Sequence, residues 1–428
     1  MARAISTRVN GPTRKSIASK SAIRMPAFLA IDMFCGAGGT TRGLLDAGGY
    51  VIAGIDKDPK CERTYTENNG NFTLDRKPPY FFCRDIFPKS EQHPEGQQLK
   101  LRKELGALIE RYRRLAPGVP LMFAICAPCQ PFTTLARKEL SQSRIARRRN
   151  DRNLLSEALK FVREFSPDIV LSENVAGISD PKFGGIWADF SSGLRRANYA
   201  VGSEVVCASR FGVPQYRKRS ILVAVRKDKA KCGLAKELTL RLPTSDPLRT
   251  EVAVKAAIGH FPSLEAGELH DRIPNHRARA LSPVNLQRIA SAPPGASNSY
   301  LATTKFGDLS LPCHRRAAKK LKVSCFTDVY TRMSPDRPSP TITTKCHSIS
   351  NGRFGHYDVS QNRGISLREA AVLQSFPEDY VFHPMHEVEG VARMIGNAVP
   401  PLLARSFAEF SLKLLDRRSF RARLRSPA

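Results

Sequence analysis

Long apolar segments and cysteines are scarce in this sequence. It has no apolar run approaching the roughly 18 residues that suggest a membrane span, and no N-terminal apolar segment of the signal-peptide type. Its 10 cysteines in 428 residues are too few for a disulfide-stabilised scaffold. These scarcities argue against a membrane protein and a small secreted scaffold. They predict a soluble protein in a reducing compartment, which we take to be the cytoplasm.

Acidic residues are also scarce relative to basic ones. Asp and Glu number 39 against 68 Lys and Arg, which gives a formal net charge of +29. This excess is spread along the chain and predicts a polyanionic partner, although a merely basic surface is the alternative and charge does not separate DNA from RNA. Residues 1–26 contain basic but no acidic side chains. We predict a flexible extension there, with a nucleic-acid-binding arm or a transit peptide as alternatives.

From residue 27 onwards, short apolar runs alternate with helix-like stretches. This βαβ rhythm predicts an α/β fold over residues 27–244, in which a Rossmann-like parallel sheet carries helices on both faces. The strands are expected at 28–33, 50–55, 121–126, 169–171 and 221–225. The helices are expected at 41–47, 59–69, 97–115 and 154–165.

The rhythm stops near Lys227, and the following region differs in composition. Residues 245–365 are rich in Pro, Ser, Arg and His without sustained periodicity. We expect a smaller, irregular domain there that reads the substrate. Residues 366–428 contain two helix-like stretches and are expected to form a hinge and C-terminal helices that return to the first domain.

A glycine-rich turn follows the first expected strand, Asp56 follows the second, and another acid, Asp85, stands further along the chain before Ile86. In the turn Phe34-Cys35-Gly36-Ala37-Gly38-Gly39, glycines would let the backbone approach a ligand closely. Thr41 stands where a dinucleotide-binding G-x-G-x-x-G motif would need a third glycine or alanine, so a single nucleoside fits better. Asp56 could accept hydrogen bonds from ribose hydroxyls and Asp85 from an adenine amino group. Either acid alone could equally be a helix N-cap or a solvated loop residue.

A cysteine between two prolines is the candidate nucleophile. Cys129, in Pro128-Cys129-Gln130-Pro131, follows an apolar strand in a rigid turn that could hold its sulfur at the mouth of a crevice. A buried inert thiol and a C-x-x-C pair with Cys126 are the alternatives. Glu173 follows another strand and could lie near Cys129. Alternation would put Arg217 and Arg219 on one face, where they could bind a phosphate or an acid-base partner, although two solvated arginines are the default.

In order and type, these residues resemble the motifs of the cytosine-C5 DNA methyltransferases over roughly residues 28–415. The resemblance implies S-adenosylmethionine as the cofactor, no metal, and double-stranded DNA as the substrate. The implied cofactor-binding residues are Phe34, Gly36, Gly38, Gly39, Asp56, Asp85, Ile86, Pro128 and Asn397. The implied catalytic residues are Cys129, Glu173, Gln215, Arg217 and Arg219, and the implied substrate-binding residues include Gln130, Asn174 and Thr341.

The chain also departs from the family pattern. Cys126-Ala127 replaces a usual glycine-rich lead-in to the nucleophile, Arg84 stands where glycine is common, and the connection at 88–117 is longer than usual. None of these departures removes a reacting group.

The resemblance implies a covalent mechanism. Cys129 would add to C6 of a flipped-out cytosine while Glu173 donates a proton at N3, with Arg217 holding the Glu173 carboxylate and Arg219 favouring the thiolate. Arg144 and Arg148, in an arginine run, could grip the opened DNA backbone or belong to a solvated loop. We expect a monomeric bacterial or phage modification enzyme, with a cognate restriction endonuclease as a candidate partner.

Three other functions stay open on the sequence. A tRNA cytosine-C5 methyltransferase on the same fold is suggested by Ser324-Cys325-Phe326-Thr327. A catalytically silent nucleic-acid-binding protein would keep the fold without using the reactive groups. A nicotinamide dehydrogenase is disfavoured by the glycine spacing and the basic charge.

Overall fold

Seven strands form one sheet in the computed structural model of the chain, which describes residues 25–128, 153–180, 185–231, 239–321, 327–416 and 418. The strands are β1 (Phe28–Met33), β2 (Gly49–Asp56), β3 (Tyr80–Cys83), β4 (Leu121–Ile125), β5 (Ile169–Val175), β6 (Tyr199–Cys207) and β7 (Lys218–Arg226). Their order across the sheet is β3-β2-β1-β4-β5-β7-β6. The expected N-terminal extension falls almost entirely outside the described residues. The arginine run that includes Arg144 and Arg148 lies outside them too, and so do the first three residues of the tetrapeptide 324–327.

The sheet is mixed rather than wholly parallel. Strands β1 to β5 pair in parallel, which confirms the expected Rossmann-like core. Strand β7 inserts between β5 and β6 and runs antiparallel to both, so the parallel expectation is wrong at this edge. The connection from β6 to β7 is short and contains no crossover helix, which permits only antiparallel pairing. The sequence analysis missed β6 because exposed residues at 203–205 interrupt its apolar pattern.

Helices cover both faces of the sheet. The helices are α1 (Gly39–Asp46), α2 (Glu62–Asn68), α3 (Gln98–Leu115), α4 (Leu154–Phe165), α5 (Ile186–Arg196), α6 (Val254–Ile258), α7 (Pro283–Ala290), α8 (Pro312–Leu321), α9 (Leu367–Leu373), α10 (Val388–Asn397) and α11 (Pro401–Lys413). Apolar side chains of α3, α4 and α5 pack on one face of the sheet, and those of α1 and α11 pack on the other. Among the described residues, no helix combines the length and apolar character that crossing a membrane requires.

Two further hydrophobic cores lie beyond the sheet. The third core joins α6 and the segment 333–354 to α9 and α10, so it runs continuously across the boundary expected at residue 365. A small fourth core contains Ile289, Ala292, Leu301, Tyr330 and Ile349. The irregular region is therefore anchored both to its own small core and to the C-terminal helices.

A buried ion pair fixes the start of α9. Both guanidinium ends of Arg363 donate to Glu369 at 2.8 Å, and each side chain is only 1% exposed. The Ser366 hydroxyl accepts from the Glu369 amide while the Glu369 carboxylate accepts from the Ser366 amide, a reciprocal N-terminal cap. Burial alone would raise the pKa of Glu369, but the hydrogen bonds and charge of Arg363 outweigh it and hold that pKa at about 2.

Replacing Arg363 by leucine should destabilise the protein strongly, because it leaves a buried carboxylate without its cation. We expect the free energy of unfolding at pH 7, measured by urea denaturation, to fall by about 3–5 kcal/mol. Since the folded-state pKa of Glu369 is depressed from 4.5 to about 2, the native pair stabilises the protein above pH 4.5. That stabilisation disappears as the pH falls towards 2.

The matched control is Arg114→Leu, which breaks an exposed ion pair with Glu110 on α3. Exposed pairs of this kind contribute little, so its unfolding free energy should stay close to that of the native protein. Equal losses in the two variants would contradict the assigned role of the Arg363–Glu369 pair.

Candidate active site

The chain passes from β1 into α1 through a turn with an unusual backbone. Phe34, Gly36 and Gly38 have φ angles of 64°, 50° and 92°, which lie in the left-handed region. A side chain at Gly38 would collide with Asn69 and Tyr380, and one at Gly39 would collide with the Val399 carbonyl. A Cβ at Gly36 would meet no atom of the described residues within 4 Å. The turn is therefore packed against protein atoms at Gly38 and Gly39, whereas the described part of the chain leaves space beside Gly36.

The predicted ribose acid lies directly beside this turn. One Asp56 carboxylate oxygen accepts the Gly36 amide at 2.9 Å, and the other accepts the Asp58 amide at 2.9 Å. Burial raises the pKa of Asp56 despite these two bonds, which lower it. The structure therefore brings Gly36 and Asp56 together at the carboxyl edge of the sheet, where ligands of such sheets bind.

The predicted adenine acid lies beyond the next strand. Asp56 pairs with Cys83 in the register of β2 and β3, so Asp85 follows two residues further along the same edge. Its carboxylate accepts the Phe87 amide at 3.0 Å, and the next residue, Ile86, is buried in the core. An open turn backed by one acid on each of two neighbouring strands fits an adenosyl nucleoside.

Beneath the turn lies a buried acid whose role the sequence analysis missed. Asp32, at 0% exposure, accepts a 2.7 Å hydrogen bond from the Thr41 hydroxyl, which also lies 3.0 Å from the Tyr65 hydroxyl. Its other carboxylate oxygen has no hydrogen-bond partner among the described residues. Burial raises the pKa of Asp32 to about 7. A charged residue inside an otherwise apolar strand was the available signal.

The C-terminal part of the chain also supports the turn. The Tyr380 hydroxyl donates to the Ala37 carbonyl and accepts from the Asn69 amide at 2.8 Å. Val399 lies against Gly39 through its carbonyl, whereas Asn397, at the end of α10, is exposed. The segment that contains Asn397, one of the implied cofactor-binding residues, thus lies at the turn. Tyr380 belongs to no motif that was recognised in the sequence, so its contact with the turn was not predicted.

Side chains of β5 hold the main chain that leads to the predicted nucleophile. The Asn174 amide donates to the Ala127 carbonyl at 3.1 Å, and the Ser172 hydroxyl donates to the Ile125 carbonyl. Pro128, which follows, is half-buried. Cys129 and Gln130 lie outside the described residues. Asn174, predicted to bind substrate, has a positioning contact in the described structure.

Glu173 and Arg219 form an ion pair at the end of β5. The Arg219 Nε atom lies 2.8 Å from Glu173 Oε1, and the side chains are 11% and 12% exposed. The N–H is not aimed at that oxygen, so the contact is an ion pair rather than a hydrogen bond, and Oε1 has no hydrogen-bond partner in the described part of the chain. Glu173 lines a small cavity with Thr40, Cys126 and Val399. A substrate donor or acceptor could therefore still engage this carboxyl group.

Arg217 has a different set of partners from the one expected. Its guanidinium donates to the carbonyls of Ile342 at 3.0 Å, Gly396 at 3.1 Å and Ala398 at 3.2 Å. The prediction gave the Glu173 carboxylate to Arg217, and in the structure it is Arg219 that forms an ion pair with this carboxylate. The physical reason is the antiparallel register, in which Arg219 pairs with Val175 beside Glu173 while Arg217 precedes the strand.

Gln215 and Thr341 connect segments that are distant in sequence. The Gln215 amide donates to the Gln374 side chain at 2.6 Å, and its oxygen accepts from the Ile342 amide at 2.9 Å. The Thr341 hydroxyl donates to the Tyr216 carbonyl at 2.8 Å. Both predicted site residues thus contact protein atoms that organise the site.

Cys126 is a half-buried cysteine beside the same cavity. Its sulfur lies 3.8 Å from the Thr40 hydroxyl, and burial raises its pKa well above the usual range. A thiol held protonated in this way is a poor nucleophile and a poor redox partner. Within the described ranges, no group of three or more His, Cys, Asp or Glu side chains is placed to hold a metal ion.

Known proteins resemble this chain along most of its length. Residues 28–77 and 111–412 match the family of C-5 cytosine-specific DNA methylases. The chain is 34% identical over 398 residues to the Type II methylase M.HgiDII of Herpetosiphon aurantiacus, which covers 92% of this chain and 98% of that protein. It is 29% identical over 400 residues to the Type II methyltransferase M1.HphI of Haemophilus parahaemolyticus, covering 94% and 91% respectively.

Solved structures support the same fold. A prophage-encoded E. coli protein, described as a DNA modification methyltransferase, superimposes with a TM-score of 0.61 at 20% identity and covers 90% of this chain and 99% of its own. The methyltransferase EhMeth of Entamoeba histolytica gives a TM-score of 0.53 at 12% identity, covering 90% and 98%. At such identities the likeness concerns the fold.

The buried Asp32 should give the protein a characteristic pH dependence. Because its folded-state pKa is raised from 3.8 to about 7, the folded protein binds this proton more tightly than the unfolded chain. The contribution of Asp32 to stability therefore falls as the pH rises through this interval, by an amount on the order of a few kcal/mol. Asp32→Asn, which cannot titrate, should lack this loss when urea unfolding is compared at pH 4 and pH 8. Parallel pH profiles for the native protein and the variant would refute the assignment.

Proposed function

Since the chain belongs to the family of C-5 cytosine-specific DNA methylases, we propose that it methylates C5 of a flipped-out cytosine in a specific sequence of double-stranded DNA. The methyl donor is S-adenosylmethionine, and the reaction proceeds through a covalent bond between Cys129 and cytosine C6. The Type II names of its relatives support a role as a bacterial or phage modification enzyme. We propose a cytoplasmic monomer, acting alone or beside a cognate restriction endonuclease.

The observation that carries this proposal is the arrangement at the ends of β4 and β5. Glu173 is ion-paired to Arg219 with an oxygen still available for a hydrogen bond. The adjacent Asn174 holds the carbonyl of Ala127, two residues before Cys129. Strand β5, which presents the Glu173 carboxyl group, thereby also holds the main chain that leads to Cys129. A general acid and a thiol serving one base require such a common support.

The chain's own residues offer a place for the cofactor. When bound, S-adenosylmethionine supplies an electrophilic methyl group. Asp56 would accept the ribose hydroxyls beside the open edge of Gly36, and Asp85 with Ile86 would bind the adenine. Further contacts are proposed for Phe34, Gly38 and Gly39 at the turn, for Pro128 after β4, and for Asn397 at the end of α10.

The proposed chemistry makes C5 of cytosine nucleophilic. As the sulfur of Cys129 bonds to C6, Glu173 donates a proton to N3, so that the ring electrons concentrate at C5. Arg219 then stabilises the carboxylate that Glu173 becomes, at 2.8 Å. Once C5 carries the methyl group, the C5 proton is lost to a base, Cys129 leaves as a thiolate and the N3 proton returns to Glu173, which restores the aromatic ring. Arg217 and Gln215 position the strand through their bonds to Ile342.

DNA must present the base outside the helix for this reaction. Flipping a cytosine from the duplex costs a few kcal/mol, and the formal charge of +29 favours binding to the phosphate backbone. We propose that Arg144 and Arg148 contact the opened backbone, that Gln130 follows the nucleophile towards the base, and that Thr341 organises the target-reading segment.

A duplex containing 5-fluorocytosine should trap the enzyme, because fluorine at C5 prevents the proton loss that releases Cys129. We expect a denaturation-resistant protein–DNA adduct that requires S-adenosylmethionine. Cys129→Ala should give no adduct and no methylation, since it lacks the attacking sulfur. Adduct formation is measured by the shifted band on a denaturing gel.

The matched control is Cys126→Ala, which removes the neighbouring thiol of the C-x-x-C sequence. Because burial keeps Cys126 protonated, this variant should still form the adduct. An adduct from Cys129→Ala, or no adduct from the native protein, would refute the covalent mechanism.

Asp56→Ala should weaken cofactor binding, because it removes the proposed acceptor for the ribose hydroxyls. Loss of hydrogen bonds to a charged group costs about 1.5–3 kcal/mol, or roughly 10- to 150-fold in affinity. Titration calorimetry with the product S-adenosylhomocysteine measures this without any turnover. Glu62→Ala, an exposed acid shortly after the same strand, is the control and should bind normally. Equal affinities for all three proteins would contradict the cofactor site.

A further inference from the structure

A polar groove lies in the irregular region and shares no lining residue with the cavity beside Glu173. One wall consists of residues between 279 and 285, which lead into the start of α7. The other consists of residues 348–351, in the loop that follows Ile342. Its polar lining consists of Arg279, Ser282, Asn285, Ser348, Ser350 and Asn351. No acidic side chain contributes to this lining among the residues that the structure describes.

Several polar atoms of the groove retain unused hydrogen-bonding capacity. The Arg279 guanidinium has no hydrogen bond or ion pair within the described part of the chain. Asn285 accepts from Arg288 at 2.9 Å, which leaves its amide N–H group as a donor. Asn351 donates to the hydroxyls of Ser348 at 3.1 Å and Ser350 at 3.2 Å, which leaves its carbonyl oxygen as an acceptor. The groove therefore offers both donors and an acceptor.

A buried histidine adjoins the groove. His347 is 4% exposed, and neither ring nitrogen has a hydrogen-bond partner among the described residues. Burial lowers its pKa, and the nearby charges of Arg279 and Lys345 lower it further. Leaving both ring nitrogens of a buried histidine without partners is costly. His347 directly precedes Ser348 in the wall of the groove, although it is not itself a lining residue.

The groove is connected rigidly to the catalytic strand. Ile349 is buried in the fourth core, and its carbonyl accepts from the Tyr330 amide at 2.7 Å. At the other end of the same segment, Ile342 is bonded to Gln215 and Arg217, next to β7. A ligand held by residues 348–351 would therefore have a defined position relative to the site that contains Glu173.

We infer that this groove reads base edges of the DNA duplex beside the target cytosine, with Arg279 and Asn351 as specificity-determining residues. The inference rests on the proposed DNA methylation. A phosphate group presents only acceptors, so a phosphate site would need donors alone. Base edges in the major groove present donors and acceptors together, and they are read by arginine and asparagine side chains. The mixed lining of this groove matches base edges.

The experiment compares Arg279→Ala and Asn351→Ala with the native protein on duplexes whose flanks are randomised. Bound duplexes are selected and sequenced, and methylated positions are mapped by bisulfite sequencing. Arg279→Ala should lose about 5- to 150-fold discrimination at one or two flanking positions, the range for a single bidentate base contact. Asn351→Ala should lose about 5-fold, the lower end of that range, because only its carbonyl oxygen is left to contact a base. Arg272→Ala is the control, because Arg272 belongs to the same segment and its side chain is 87% exposed, outside the groove.

Two results would overturn the inference. In the first, all variants keep the native preferences at every flanking position. In the second, Arg279→Ala weakens binding to all sequences equally and lowers the salt dependence of binding, which would indicate a phosphate contact. The 5-fluorocytosine adduct, measured on the same variants, distinguishes these results from failure of the proposed function. Selection of bound duplexes tests base reading by the groove even if no methyl group is transferred. A missing adduct in the native protein would instead contradict the proposed reaction.

Discussion

The guanidinium of Arg217 binds three backbone carbonyls that belong to two different segments. Arg217 is 3% exposed, and a buried cation of this kind is tolerated only when its N–H groups are well paired. Its bonds to Ile342, Gly396 and Ala398 supply that pairing. Because Arg217 directly precedes β7, these bonds fix both segments relative to the sheet. The position of the target-side segment and that of the C-terminal segment thus depend on one side chain.

Both segments continue towards opposite ends of the site. Beyond Ala398, the carbonyl of Val399 approaches Gly39 so closely that only glycine fits there. Beyond Ile342, the chain reaches the fourth core at Ile349 and the wall of the polar groove. The close contact of Gly396 with residues 343 and 344 holds the two segments together. The proposed cofactor turn, acid and DNA-reading groove are therefore parts of one connected framework.

Local motifs predicted the central sheet and the juxtaposition of the glycine turn with Asp56. The turn at residues 34–39 and Asp56 depend on neighbouring strands, and both lie where the periodicity placed them. The partners of Arg217 and Arg219 were not predictable, because alternation fixes a face of a strand but not what packs on it. The antiparallel β7 and the contact between Tyr380 and Ala37 likewise depend on packing between residues far apart in sequence. Such contacts leave no period or spacing in the chain.

Two departures from the family pattern near β3, namely Arg84 and the long connection at 88–117, contact each other in the structure. Residues 78–110 fall outside the match to the family, and they include Arg84, which stands where glycine is common. Arg84 reaches Glu104 on α3 at 3.4 Å, so a helix that begins in this unmatched segment supplies the partner of the unusual arginine.

The start of α3 supports the proposed adenine site. Gln98, at the start of α3, donates to the Ile86 carbonyl at 2.8 Å and to Glu157 of α4 at 2.6 Å. Since the Gln97 amide also donates to the Asp85 carbonyl at 3.1 Å, residues 97 and 98 hold both residues of that site. Because these bonds are to the backbone of Asp85 and Ile86, they fix the position of both residues without engaging the Asp85 carboxylate.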